Sequence, residues 1–120
     1  MAFREYLQEI CAAVDGAVVC SVMGFDGIAI DTFESRPSPD LDIPVLLVEY
    51  TTILNQVRAA ADVLQSGQVR ELVVSTDKLT AISRPLSPEY FLVLAIAQEA
   101  NWGKARYMMR IVAPRVAAEF

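Results

Sequence analysis

From Pro44 to Ser66 the chain reads as one helix with apolar residues on two separate sides, where a lone globular chain needs one. At 100° per residue, Leu46, Tyr50, Ile53, Val57, Ala60 and Leu64 share a face, flanked by Leu47, Leu54 and Ala61. A stripe that wide is enough to seal a core. Nearly opposite run Val45, Val48, Thr52, Ala59 and Val63, a thinner stripe of small, mostly apolar side chains. The sector of Thr51, Asn55, Arg58, Asp62 and Gln65 is expected to face water. Burial from two directions requires a second body, either another copy of the chain or a different protein.

The rest of the chain bounds what that body can be. Its 120 residues suit one domain, 1–120, with a single core. Hydrophobic residues make up 54%, above the usual share of about 45–50%. The excess means a rich core or apolar surface covered by a partner, and the two-sided helix favours the second. A net charge of −5 disfavours nucleic acid or an anionic membrane as partner. No apolar run approaches the ~18 residues of a membrane span. The opening residues lack the basic-then-apolar order of a secretion signal, so the expected location is cytoplasmic. Cys11 and Cys20 are in apolar contexts and are read as buried free thiols, although nine residues apart they could pair.

Along the chain, Phe3, Tyr6, Leu7, Ile10 and Cys11 mark an amphipathic helix over 3–14, ended by Asp15-Gly16. Residues 17–23 form a strand apolar on both faces. Gly24-Phe25-Asp26-Gly27 then signals a hairpin, with 28–33 as the return strand. A loop with Pro37 and Pro39 leads to Pro44, which suits the first helical position, with Ile43 as cap and Asp42 near the positive helix end. Strands follow at 69–76, 79–84 and 90–97, the last apolar on both faces and hence central. Asn101 caps a final helix, in which Pro114 predicts a kink or an early stop. The order αββαβββα, with hairpin-length connections, gives an α+β sandwich of three helices on a five-stranded antiparallel sheet.

Chemistry is scarce. The chain has no histidine, which removes the commonest acid–base group near neutral pH and leaves Ser21, Ser75, Ser83 and Ser87 without an activating partner. Two cysteines alone do not complete a zinc site. Gly103-Lys104 lacks the upstream glycine and following hydroxyl of a phosphate-binding loop. Asp26, Asp31, Glu34, Asp40 and Asp42 lack the ligand spacing of a calcium loop and read as solvated loop and cap carboxylates. No cofactor is expected. Arg106 and Arg110, one turn apart near Lys104 and Arg115, fit either a docking patch for an acidic partner or ordinary solvated charge. Phe25 at the hairpin tip either packs back on the sheet or meets a partner, and Trp102 is read as a core plug rather than an interface anchor.

Three stretches together resemble one family. They are Gly24-Phe25-Asp26-Gly27-Ile28-Ala29-Ile30-Asp31, then Leu72-Val73-Val74-Ser75 followed by Asp77-Lys78, and the tail from Arg84-Pro85 through Tyr90–Leu94 to Glu99–Arg106. In this order they resemble the Roadblock (dynein light-chain-like) domain, with its profilin-like sandwich, over nearly the whole chain. The full C-terminal helix is most similar to prokaryotic members of the MglB type. The resemblance implies dimers whose sheets join through the third strand, here Val69, Leu72, Val73 and Val74, with the long helices side by side. Without the family, the same strand with its Arg70 and Glu71 could be a blunted edge. The resemblance also implies action on a Ras-like small GTPase, by a chain that is no enzyme itself.

The leading expectation is therefore a homodimer, or a dimer of dimers, that binds such a GTPase through Val48, Thr52, Asn55, Ala59 and Val63. A scaffold with no effect on GTP turnover is the alternative. A small-molecule sensor using the sheet–helix crevice is the third reading, weakened by the few polar groups expected in the core.

Overall fold

The computed structural model describes residues 3–37 and 40–120; the loop reading at Pro39 and the first two residues of the N-terminal segment lie outside them. Among the described residues the order is α1 (Phe3–Ala13), β1 (Ala17–Gly24), β2 (Ala29–Glu34), α2 (Ile43–Leu64), β3 (Leu72–Ser75), β4 (Leu79–Pro85), β5 (Tyr90–Ala97) and α3 (Trp102–Ala117). The five strands form one antiparallel sheet in the order β2-β1-β5-β4-β3. The fold class expected from the sequence is the one observed.

β5 sits at the centre, as its unbroken apolar run requires. Its residues alternate strictly, Leu92, Leu94 and Ile96 joining the core under α1 and α3, and Phe91, Val93 and Ala95 the core under α2. β1 beside it is buried along its whole length. A bulge between Ala17 and Val19 places both Val18 and Val19 in the α2 core. Gly16 closes α1 with φ +91, and a Cβ there would lie 2.8 Å from the Ala100 side chain, so glycine is required twice over.

α2 differs from its sequence reading in two respects. Its cap is Asp42, whose carboxylate accepts from the Val45 amide at 3.2 Å, while Ile43 is buried as the first helical residue. More consequentially, the helix is turned about a quarter-turn from the expected face. Its buried residues are Ile43, Leu46, Leu47, Thr51 and Leu54. Tyr50, Ile53 and Val57 are half-buried, whereas Ala60 and Leu64 are exposed. The sector expected to face water supplies the contact. Thr51 is only 3% exposed, because its hydroxyl donates to the Leu47 carbonyl at 2.7 Å and carries no unmet polarity inward.

β3 is shorter than the expected 69–76 strand, and its register explains why. Leu72 pairs with Ser83, so continuing the ladder would set Arg70 against Pro85, which has no N–H to give. Val69 consequently lies outside the strand and packs against the α2 core. At the other end of the chain α3 neither stops at Pro114 nor before it; the helix continues to Ala117, with the Ala118 amide donating to the Pro114 carbonyl.

Candidate functional site

One helix, about 10–12 Å across, cannot cover five strands spaced about 4.8 Å apart. α1 and α3 share one face of the sheet, while α2 alone serves the other. Leu72 and Val74 on β3 are therefore only half-buried, and a sheet edge lies open beside them. α2 itself keeps an exposed side bearing Val45, Val48, Thr52, Ala59 and Val63, with Leu64 at its margin. Val63 is 82% exposed and Leu64 74%, unusual for large aliphatic side chains.

Four of the five residues expected to meet a partner, Val48, Thr52, Ala59 and Val63, thus share exposed helix surface. Asn55 does not join them freely. It is half-buried, and its amide nitrogen donates to the Phe25 carbonyl at 2.9 Å. Beside it Arg58 covers the Phe25 ring at 3.6 Å from the centroid and donates to the Pro88 carbonyl at 3.1 Å. Phe25 in turn lies 4.9 Å from Phe91 between ring centroids. The tip of the first hairpin is therefore packed back onto the sheet, and a cation from α2 seals it there. Replacing Arg58 by alanine is expected to lower stability by about 1 kcal/mol through loss of the ring contact and the Pro88 bond, read as a shifted urea midpoint.

Behind this clamp an open crevice of about 1350 Å³ separates the end of α2 from the β4–β5 turn, with Asp62, Gln65, Arg70, Arg84 and Ser87 on its walls. Every buried polar side-chain atom among the described residues already has a hydrogen-bond partner within the chain, so none is held in reserve for a small ligand. No group of three His, Cys, Asp or Glu side chains comes together as a metal site among those residues. Cys11 and Cys20 are buried free thiols; Cys11 is pulled down by a hydrogen bond from Cys20, and burial pushes Cys20 well up. Asp31 accepts a bidentate contact from Arg4 on α1, and that hydrogen bond holds its carboxyl below the usual carboxylate range. These groups tie elements together rather than converge on a substrate.

Two expectations about exposed groups are corrected. Trp102 is not a core plug: it stands 53% exposed at the start of α3, because the buried side of that helix is filled by Ala105, Met109, Val112, Ala113 and Val116. Glu71 does not guard the β3 edge as a free charge, since it pairs with Arg106 at 2.6 Å and Arg84 at 3.7 Å.

This architecture matches known structures closely. A Roadblock/LC7 domain from Streptomyces avermitilis superposes with a TM-score of 0.83 at 16% identity, over 96% of this chain and 94% of that one. MglC from Myxococcus xanthus is 47% identical over the full length of both chains, with a TM-score of 0.74. The chain belongs to the Roadblock family. The gliding protein MglB from Thermus thermophilus shares the fold at a TM-score of 0.84 and 20% identity, over 98% of this chain and 89% of that one. Likeness to MglB is thus one of fold, while substantial sequence identity links this Roadblock chain to MglC. No protein-family model and no curated protein matches it. No helix among the described residues is long and apolar enough to cross a membrane.

Proposed function

We propose that this Roadblock protein is a non-catalytic cytoplasmic homodimer that binds a Ras-like small GTPase and modulates its nucleotide state or its location. The carrying observation is the exposed strip Val48, Thr52, Ala59 and Val63, set on a rigid helix in a chain 47% identical to MglC along its whole length. Small side chains let a partner's backbone approach closely. Their partial polarity suits a surface that is bare part of the time. Asn55 supports the strip from its buried margin by fixing the hairpin below it.

The strip itself holds no charged side chain that could act on a nucleotide, which favours a second reading, an adaptor that binds without altering GTP turnover. GTP hydrolysis and nucleotide release by a Ras-like GTPase of the same organism, measured with and without this protein, separate the two. Regulation changes either rate severalfold; the adaptor binds and changes neither. In both cases Ala59→Arg is expected to abolish binding while leaving a folded dimer, because arginine is a good helix former and Ala59 is exposed. Unchanged affinity of Ala59→Arg for that GTPase would remove this face from consideration.

A further inference from the structure

The exposed side of α3 differs in kind from the rest of the surface. In a chain of net charge −5 this helix carries Lys104, Arg106, Arg110 and Arg115 and not one carboxylate. Trp102 stands exposed at its start, and Tyr107 and Ile111, one turn apart, are exposed between Arg110 and Lys104 around the helix. Arg106 lies 5.6 Å from the Trp102 ring centroid, and Arg110 the same distance from that of Tyr107. Two cations are spent within the chain, Arg106 on Glu71 and Arg115 on Glu9. Arg110 and Lys104 form no ion pair among the described residues.

We propose that this side of α3 is a second docking surface, which receives an acidic protein segment supplying carboxylates to Arg110 and Lys104 and an apolar side chain to the Tyr107–Ile111 pair that lies between them around the helix. Tryptophan, tyrosine and arginine are the side chains that most often dominate binding energy at protein interfaces. Here Tyr107 lies beside Arg110, and both are exposed. Two free cations on a net acidic protein are too few for nucleic acid, whose affinity grows with each phosphate neutralised. Symmetric pairing of two α3 helices would oppose like charges and is disfavoured for that reason. The surface lies across the sheet from α2, so both faces can be occupied at once, as an adaptor requires. The inference stands on α3 alone and does not depend on the GTPase reading.

Titration calorimetry reads binding to this surface, and the emission of Trp102, the single tryptophan of the chain, gives a second signal from the start of the same helix. The probe is an amphipathic peptide of glutamate and leucine, titrated at physiological salt into the full-length protein. Polyglutamate, an oligothymidylate and phosphatidylcholine vesicles containing phosphatidylserine serve as comparisons. The Glu–Leu peptide is expected to bind saturably, with polyglutamate weaker. Arg110→Glu should weaken the peptide about tenfold or more, and Tyr107→Ser should weaken it as well. Both variants should keep the wild-type urea midpoint, because the residues are exposed, and Ala59→Arg should bind the peptide normally. Absence of saturable binding, or equal binding by Arg110→Glu, overturns the proposal. So does a larger Arg110-dependent response to the oligothymidylate or the vesicles, which would give the surface to nucleic acid or lipid.

Discussion

Replacing Leu54 by alanine is expected to lower the unfolding free energy by about 2–5 kcal/mol, whereas the same change at Leu64 should stay within about 0.5 kcal/mol at low protein concentration. Both leucines belong to the apolar pattern of one helix, and the sequence alone placed Leu64 on the sealing face with Leu54 at its flank. In the structure Leu54 is fully buried in the core with Leu47, Phe91 and Val93, while Leu64 is 74% exposed. Deleting Leu54 removes transfer energy and leaves a void that the sheet below cannot collapse to fill. Deleting Leu64 removes a side chain that was already in water. Urea denaturation decides it, and the Leu54 cost should not vary with protein concentration because its packing is within the chain. If Leu64→Ala is the costlier change, α2 is docked by the face that periodicity alone suggests.

Why periodicity misjudged that face can be traced to three side chains. Thr51 counts as polar in any hydropathy pattern, yet its hydroxyl is satisfied by the preceding turn of its own helix. Asn55 and Arg58 also count as solvated, yet each is drawn inward by a backbone carbonyl, that of Phe25 and that of Pro88. Those acceptors lie about thirty residues away along the chain, so no local pattern contains them. The strands posed no such problem. β1 and β5 announce burial on both faces by composition, and Asp26-Gly27 announces the hairpin, where Gly27 does adopt a positive φ of 89°. The shortness of β3 was partly legible, since Pro85 is visible, but only the register with β4 puts it where it halts the ladder. The small residues of the α2 strip were legible because exposure there is a property of one helix. The cationic character of α3 was legible too. What the sequence could not show is that Trp102 faces outward beside it.

Val74→Asp is expected to convert the proposed dimer to a monomer, seen as a halving of the mass in solution, while Ile30→Asp leaves the mass unchanged. The sheet has two edges, and the argument turns on how each is protected. β2 carries Asp31 and Glu34, and its pairing with β1 is broken by an irregularity between Val22 and Met23 that skips Ile30. Asp31 is spent on Arg4, but Glu34 forms no ion pair among the described residues, and that charge and the irregular register both discourage a second strand from adding there. β3, Leu72-Val73-Val74-Ser75, holds no charge, proline or lysine. The adjacent Glu71 is neutralised within the chain by Arg106 and Arg84. Arg70, two residues before it, is exposed and forms no ion pair among the described residues, yet the strand itself is apolar and open to pairing with another strand. A second copy of the same edge would also cover Leu72 and Val74, which a single α2 leaves half-bare. A carboxylate at Val74 would be buried without a partner in such a dimer, at a cost of several kcal/mol per copy, yet tolerable in a monomer where the site stays wet. Should Ile30→Asp be the variant that dissociates, the copies meet through β2 instead. Should the wild-type chain run as a monomer, or neither variant change its mass, the proposed pairing through a sheet edge is wrong.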